Sequence, residues 1–148
     1  MCAVVGLDLV LKAYPAGDPI RDRAHAALLE RLRGVLHPTL RWRTEVPLPI
    51  SGDLRAWDGT ITGQGWSSKV EAETAITDVQ ATVRRFSLKH RDGGAGHAIL
   101  LVADTLANRE VLRLIRGSLS DLLPLDTRQI LAALRRGADP GGSGVAIL

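Results

Sequence analysis

This chain has little cysteine and no long apolar run, and each shortage narrows what the protein can be. Its single cysteine, Cys2, cannot form an internal disulfide, which indicates a reducing compartment. No segment approaches the roughly 20 apolar residues that a membrane-spanning helix needs, so no membrane association is expected. The start of the chain, from Met1 to Asp8, lacks the basic region of a signal peptide. Together these absences predict a cytoplasmic protein.

Aromatic residues and lysine are scarce as well. Aromatic residues make up 3% of the chain, which argues against a platform that stacks the bases of single-stranded nucleic acid. Lysine occurs only as Lys12, Lys69 and Lys89, so arginine carries almost all of the positive charge. That bias reflects either a GC-rich genome or the bidentate grip of arginine on phosphate. The net charge of +3 permits nucleic-acid binding without requiring it.

The residues that are present predict a single α/β domain covering residues 1–148. Alternating and helical apolar patterns, with capping residues and turn residues between them, mark the successive elements. They predict a mixed central sheet flanked by helices on both faces. The predicted strands are 5–13, 40–46, 54–62, 66–74, 97–103 and 145–148, and the predicted helices are 19–36, 76–91, 105–115 and 126–137.

An acidic cluster on two of these strands is the most informative feature of the sequence. Lys69, Glu71 and Glu73 alternate along one strand and should share a face. If the hairpin pairs about the turn at Gly63-Gln64-Gly65, Asp58 falls opposite Glu71. Three carboxylates on one sheet face require a counterion, and Mg²⁺ or Mn²⁺ would suit such oxygen ligands. The alternative is a set of solvated acids on an exposed face.

The order helix, three strands, helix, strand over residues 19–103, with these acids in place, resembles the PD-(D/E)XK nuclease-like superfamily. Asp58 matches the aspartate of the motif, Glu71 matches its (D/E) position, and Glu73 stands where lysine is usual. The resemblance implies a restriction-endonuclease-like αβββαβ core and hydrolysis of DNA phosphodiesters with Mg²⁺ or Mn²⁺. It implies metal ligation by Asp58 and Glu71 and catalytic roles for both, with Glu73 in support. Lys69, two residues before Glu71, would supply the displaced positive charge.

A second resemblance covers more of the chain. Residues 4–9 (VVGLDL), 14–22 (YPAGDPIRD) and 41–58 (RWRTEVPLPISGDLRAWD) look like an actinobacterial region that often follows the helix-turn-helix domain of Xre-type regulators. This implies DNA-linked biology and leads us to expect a helix-turn-helix domain or a partner protein outside this chain; a homodimer is left open. The alternative function is a catalytically inert regulatory or partner-binding domain that retains a nuclease fold.

Five polar residues near the acids are candidates for substrate binding. Arg41, Arg43 and Arg55 flank the two central strands, where they could contact phosphates. Gln80 and Arg84 lie one turn apart on the second helix and could reach the carboxylates or a scissile phosphate. A solvated helix face is the alternative for this last pair.

Three other titratable residues lie on elements near the acids. Glu30 faces away from the apolar stripe of the first helix, which predicts a solvated side chain. Glu45 is an additional ligand candidate, unless Arg41 or Arg43 pairs with it. His25 lies on the flank of the same stripe, as expected of a partly buried structural histidine.

Overall fold

The computed structural model describes residues 19–94 and 96–148. The strand predicted for residues 5–13 lies outside them. The elements are α1 (Pro19–Val35), β1 (Arg41–Pro47), β2 (Ala56–Gly63), β3 (Trp66–Glu73), α2 (Val79–Asp92), β4 (His97–Val102), α3 (Leu106–Leu119), α4 (Thr127–Arg135) and β5 (Gly144–Ile147). The order predicted from residue 19 onwards is therefore confirmed, and most boundaries differ by one or two residues.

Two helix boundaries differ more, and capping and packing explain both. The second helix begins at Val79 rather than at Ile76, because the Asp78 side chain accepts the backbone N–H of Ala81 and so caps the helix there. The third helix continues to Leu119 rather than ending at 115. Leu119 is buried, so packing favours the additional turn.

The five strands form one mixed sheet in the order β1-β2-β3-β4-β5. The first three strands are joined by antiparallel pairing, whereas β3, β4 and β5 are parallel neighbours. The predicted mixed sheet is thereby confirmed. Strand β4 is buried along nearly its whole length, as the continuous apolar run at its position in the sequence predicted.

Two hydrophobic layers enclose the sheet. Leu28 and Leu32 of α1 and Ile130 of α4 belong to one buried cluster with the β3 side chain of Val70. Phe86 of α2 belongs to the other cluster, on the opposite face. Helices α1 and α4 therefore cover one face, and α2 and α3 cover the other. Among the helices of residues 19–94 and 96–148, none combines the length and the apolar character needed to cross a bilayer.

The regular pairing of β2 is interrupted at Asp58. In the pairing with β1, Thr44↔Gly59 is followed directly by Val46↔Trp57, so Asp58 has no paired residue in β1. The pairing with β3 ends at Gly59↔Val70. Trp57 and Ile61 then pack on opposite faces of the sheet, although residues four apart in a regular strand share a face. The interruption opens a gap between β2 and β3 at the end where the candidate acids lie.

Candidate functional site

Asp58 lies in the gap between β2 and β3. Its Oδ2 atom accepts the backbone N–H of Ala72 at 2.7 Å and lies 3.3 Å from Nε2 of His25. The carboxylate thus satisfies a β3 donor that the interrupted pairing would leave without a partner. Because strand N–H groups lie in the plane of a sheet, Asp58 occupies that plane rather than the face that we expected. The interruption of β2 explains this difference.

Glu71 is the buried centre of the site, and Lys89 holds it from α2. The glutamate is 5% exposed, and Lys89 Nζ lies 2.7 Å from both of its carboxylate oxygens. The same ammonium donates to the carbonyl oxygen of Ala56 at 2.8 Å and lies 5.9 Å from the centroid of the Trp57 ring. These contacts supply the hydrogen-bond partners that a buried ammonium group requires.

Arg85 joins the two glutamates of β3 on the same side of the sheet. Its Nη2 atom donates to Oε1 of Glu73, and its Nε atom lies 3.6 Å from Oε1 of Glu71. The arginine side chain is 46% exposed, whereas those of Glu71 and Glu73 are 6% and 13% exposed. The guanidinium therefore covers the carboxylates from the solvent side.

The pKa of Glu71 is raised to about 7. Burial is the main cause, since it disfavours the charged carboxylate, and the charge of Asp58 adds to the effect. The ammonium of Lys89 acts in the opposite direction. The influence of Asp58 indicates that the two carboxylates interact across the gap, and a carboxyl shifted in this way is a common mark of a functional site.

His25 approaches the gap from the α1 face. Its hydrogen bond to Asp58 is the main reason that the pKa of the imidazole is raised, although partial burial opposes the shift. The charges of Asp58, Glu71 and Glu73 act in the same direction as the hydrogen bond. The half-buried histidine that the sequence predicted therefore forms part of the acidic site.

Lys69 contacts the neighbouring strand β2. Its Nζ atom donates to Oγ1 of Thr60 at 3.2 Å, and Lys89 is the lysine that contacts Glu71. Burial, with a contribution from Arg43, lowers the pKa of Lys69.

Glu30 and Glu45 lie at the surface. Glu30 is exposed and pairs with Arg33, which confirms the prediction of a solvated side chain. Glu45 is exposed at the interruption of the β1–β2 pairing, with a positive φ of 49°. It pairs with neither Arg41 nor Arg43 among the described contacts.

The five candidate substrate-binding residues fall into two groups. Arg41 and Arg43 are exposed on the edge strand β1. The remaining three, Arg55, Gln80 and Arg84, line a cavity of about 370 Å³ beside α2. The guanidinium of Arg55 is held by Asp53 and Asp92 at 2.6 and 2.8 Å.

The donor chemistry of the site fits a hard divalent cation, but the chain's own cations hold these oxygens in the structure. Asp58, Glu71 and Glu73 supply carboxylate oxygens, which Mg²⁺ and Mn²⁺ prefer. Within the described residues, no group of three or more His, Cys, Asp or Glu side chains has the geometry to hold a metal ion. A cation would therefore bind here only in exchange for Lys89 or Arg85.

Lys89 is the site residue that the sequence analysis missed. Thr82, Phe86 and Lys89 are the buried residues of α2. They are spaced by four and then three residues, so Lys89 lies on the buried face of the helix. A lysine on a buried helix face requires a charged or polar partner. This position was the one signal in the sequence that could have identified Lys89 as a site residue. The partner itself could not be identified from local spacing.

No protein-family model, no curated protein and no solved structure matches this chain.

Proposed function

We propose that this chain is a nuclease-fold domain that hydrolyses phosphodiester bonds of DNA with Mg²⁺ or Mn²⁺. The observation that carries the proposal is the buried Glu71 with its raised pKa, held by Lys89 beside Asp58 where two central strands separate. The order α1, β1, β2, β3, α2, β4 supports a restriction-endonuclease-like core for the domain.

Asp58 and Glu71 would hold the metal ion, with Glu73 in support. When bound, a divalent cation lowers the pKa of coordinated water and neutralises charge that develops on the phosphate. The chain's own residues supply orientation and fixed charge. Lys89 contacts both oxygens of Glu71, so it sets the direction of that carboxylate and keeps a positive charge beside the reacting group.

The basic residues around the site would position the nucleic acid. Arg41 and Arg43 present exposed guanidinium groups along β1, and Arg55, Gln80 and Arg84 line the cavity beside α2. Contacts of this kind fix the register of a phosphate backbone without reading the bases. We therefore expect little sequence preference from these five residues.

Metal-dependent cleavage of DNA tests the proposal directly. Purified protein should cut DNA in Mg²⁺ or Mn²⁺ but not in Ca²⁺, and Glu71→Gln should lower the rate at least about a hundredfold, as expected for one lost electrostatic element. Lys89→Met and Lys69→Met form a matched pair, since each removes one ammonium. If Lys69→Met lowers the cleavage rate and Lys89→Met does not, Lys69 rather than Lys89 supplies the positive charge for catalysis.

A specific observation favours the alternative of a catalytically inert regulatory or partner-binding domain. Lys89, Arg85 and His25 already compensate the three acids, as in a purely structural ion cluster. The melting temperature separates the two functions, because an ion that binds only the native state raises it. A metal site predicts a rise with Mn²⁺ that Asp58→Asn abolishes. No rise, together with no cleavage of DNA or RNA, would support the inert domain.

A further inference from the structure

A cavity of about 480 Å³ is bounded by α3, by the edge strand β5 and by the segment that joins α3 to α4. The volume of this α3–β5 cavity lies within the range of about 300–1,000 Å³ that is usual for small-molecule sites. Its apolar lining comes from all three elements and includes Leu112, Leu119, Leu123, Leu125, Val145 and Ile147. Val145 and Ile147 are only half-buried, although they pack against the hydrophobic cluster on this face of the sheet. An apolar group in the cavity therefore completes their burial.

The backbone edge of β5 is closed beside this cavity. The N–H of Leu125 donates to the carbonyl oxygen of Ser143 at 3.1 Å, and the N–H of Val145 donates to that of Leu125 at 3.0 Å. The Thr127 hydroxyl donates to the carbonyl oxygen of Val145 at 3.3 Å and accepts the N–H of Ile147 at 3.1 Å. A peptide that adds a strand to a sheet needs such edge groups to be free. The cavity thus offers side chains rather than a backbone edge, which favours a small molecule over a peptide strand.

Three arginines of α3 form the positive side of the cavity. Arg109, Arg113 and Arg116 are exposed and are spaced by four and then three residues, so they share one face of the helix. Arg109 pairs with Asp104, and Arg113 pairs with Glu110. Arg116 forms no ion pair with any other residue in the ranges 19–94 and 96–148. Its guanidinium is therefore available to an anion.

The acids in the lining do not cancel this charge. Asp104 is engaged by Arg109, and the Asp126 carboxylate caps α4 by accepting the backbone N–H of Gln129 at 2.9 Å. Because these two aspartates are set against three arginines, the lining carries an excess of one positive charge. An apolar floor beside an uncompensated guanidinium complements a molecule that joins an aliphatic body to an anionic head.

From this arrangement we propose that the α3–β5 cavity binds a small organic anion, an aliphatic chain that ends in one carboxylate group. The chain lies against Val145, Ile147 and the leucines, and the carboxylate accepts N–H groups from Arg116 in the bidentate geometry that a guanidinium favours. The proposal does not depend on the proposed function, because none of the described residues that line this cavity belongs to the site around Glu71. The ligand is therefore an effector of the domain rather than its substrate.

Isothermal titration calorimetry of the full chain with sodium octanoate tests this proposal, and 1-octanol is the uncharged control of equal chain length. Wild-type protein should bind one octanoate per chain, about tenfold more tightly than 1-octanol, because the alcohol lacks the charge-assisted bond to Arg116. Arg116→Gln should weaken octanoate binding by about tenfold and leave 1-octanol binding unchanged. Arg23→Gln removes the same charge from α1, on the opposite face of the sheet, and should change neither affinity.

A second variant tests the location of the ligand. In Ile147→Trp the larger side chain should fill the cavity and abolish the binding of both octanoate and 1-octanol. Circular dichroism shows whether the variant is folded, and if it is not, Arg116→Gln decides the question alone. Equal octanoate affinity in wild type and Arg116→Gln would refute the proposal, and so would a lack of binding to wild type at millimolar octanoate.

Light scattering after size-exclusion chromatography tests the other possible occupant, which is a second copy of this chain. If wild type is a dimer that Ile147→Trp dissociates, and octanoate does not bind, the cavity is an interface between copies and the proposal is wrong. A wild-type chain that binds octanoate with the same affinity at every protein concentration supports the proposal.

Discussion

The contact between Lys89 and Glu71 gives the sharpest prediction about stability. Lys89→Met keeps an unbranched side chain that ends one atom earlier, and removes the charge. The change eliminates the two 2.7 Å contacts with Glu71 and the 2.8 Å bond to Ala56. Because both charged groups are buried, loss of one partner leaves an uncompensated charge in the interior. Breaking such a pair costs about 3–5 kcal/mol of unfolding free energy.

This cost should depend on pH. In the wild type the pKa of Glu71 is raised from an ordinary 4.5 to about 7, and Lys89 opposes that rise. A carboxyl whose folded pKa is raised contributes stability that is fully present below its unfolded pKa and is lost as pH rises through its folded pKa. At pH 5.5, below this pKa of about 7, the carboxyl is largely protonated in the wild type, and without Lys89 its pKa rises further, so the variant leaves no unpaired charge there. We therefore expect a larger cost at pH 8 than at pH 5.5.

Urea unfolding at the two pH values, followed by circular dichroism, measures both quantities. The double variant Lys89→Met/Glu71→Gln should recover much of the loss, because it leaves no unpaired charge in the interior. Lys69→Met is the matched control and should cost under about 1.5 kcal/mol, since Lys69 makes one side-chain hydrogen bond to Thr60. A loss under about 1 kcal/mol in Lys89→Met, equal at pH 5.5 and pH 8, would refute the reasoning.

Two further predictions concern the neighbours of the site. The raised pKa of His25 implies a contribution to stability that is fully present below its unfolded pKa of 6.5 and is lost as pH rises through its folded pKa. The difference in unfolding free energy between wild type and His25→Gln should therefore shrink from pH 5.5 to pH 9. Because the pair with Asp58 is partly exposed, that difference should stay below about 1 kcal/mol in urea titrations, and a difference independent of pH would contradict the ion pair. Asn108→Ala should lower the unfolding free energy by about 3 kcal/mol, because the buried amide bonds the backbone of Ile76, Thr74 and Ala103. A loss below about 1 kcal/mol in the same assay would show that water replaces the amide.

Local patterns explain why so much of the fold was predictable. Strand β4 was identified from an apolar run, and α4 from the spacing of Asp126 and Gln129, which form the predicted capping box. The turn at Gly63-Gln64-Gly65 set the β2–β3 register, which pairs Gly59 with Val70 as the hairpin required. Each of these features depends on residues close together in the chain.

The candidate site was harder to predict at Asp58. Continued alternation along β2 would place this carboxylate on the same sheet face as Glu71. The interruption beside Glu45 and Gly59 instead turns it into the gap, where it meets Ala72 and His25. Two strands of regular appearance do not reveal where their pairing will stop, because that depends on how both neighbours of β2 pack.

The sequence by itself determined which residues are acidic, which strands carry them, and that α2 has one apolar face. Only the tertiary structure decided that Lys89 meets Glu71, 18 residues earlier in the chain, and that Arg85 covers the same carboxylate. The physical reason is that periodicity orients a side chain relative to its own element. The position of α2 along the sheet is set instead by the packing of its whole apolar face, which includes Phe86 against Trp57.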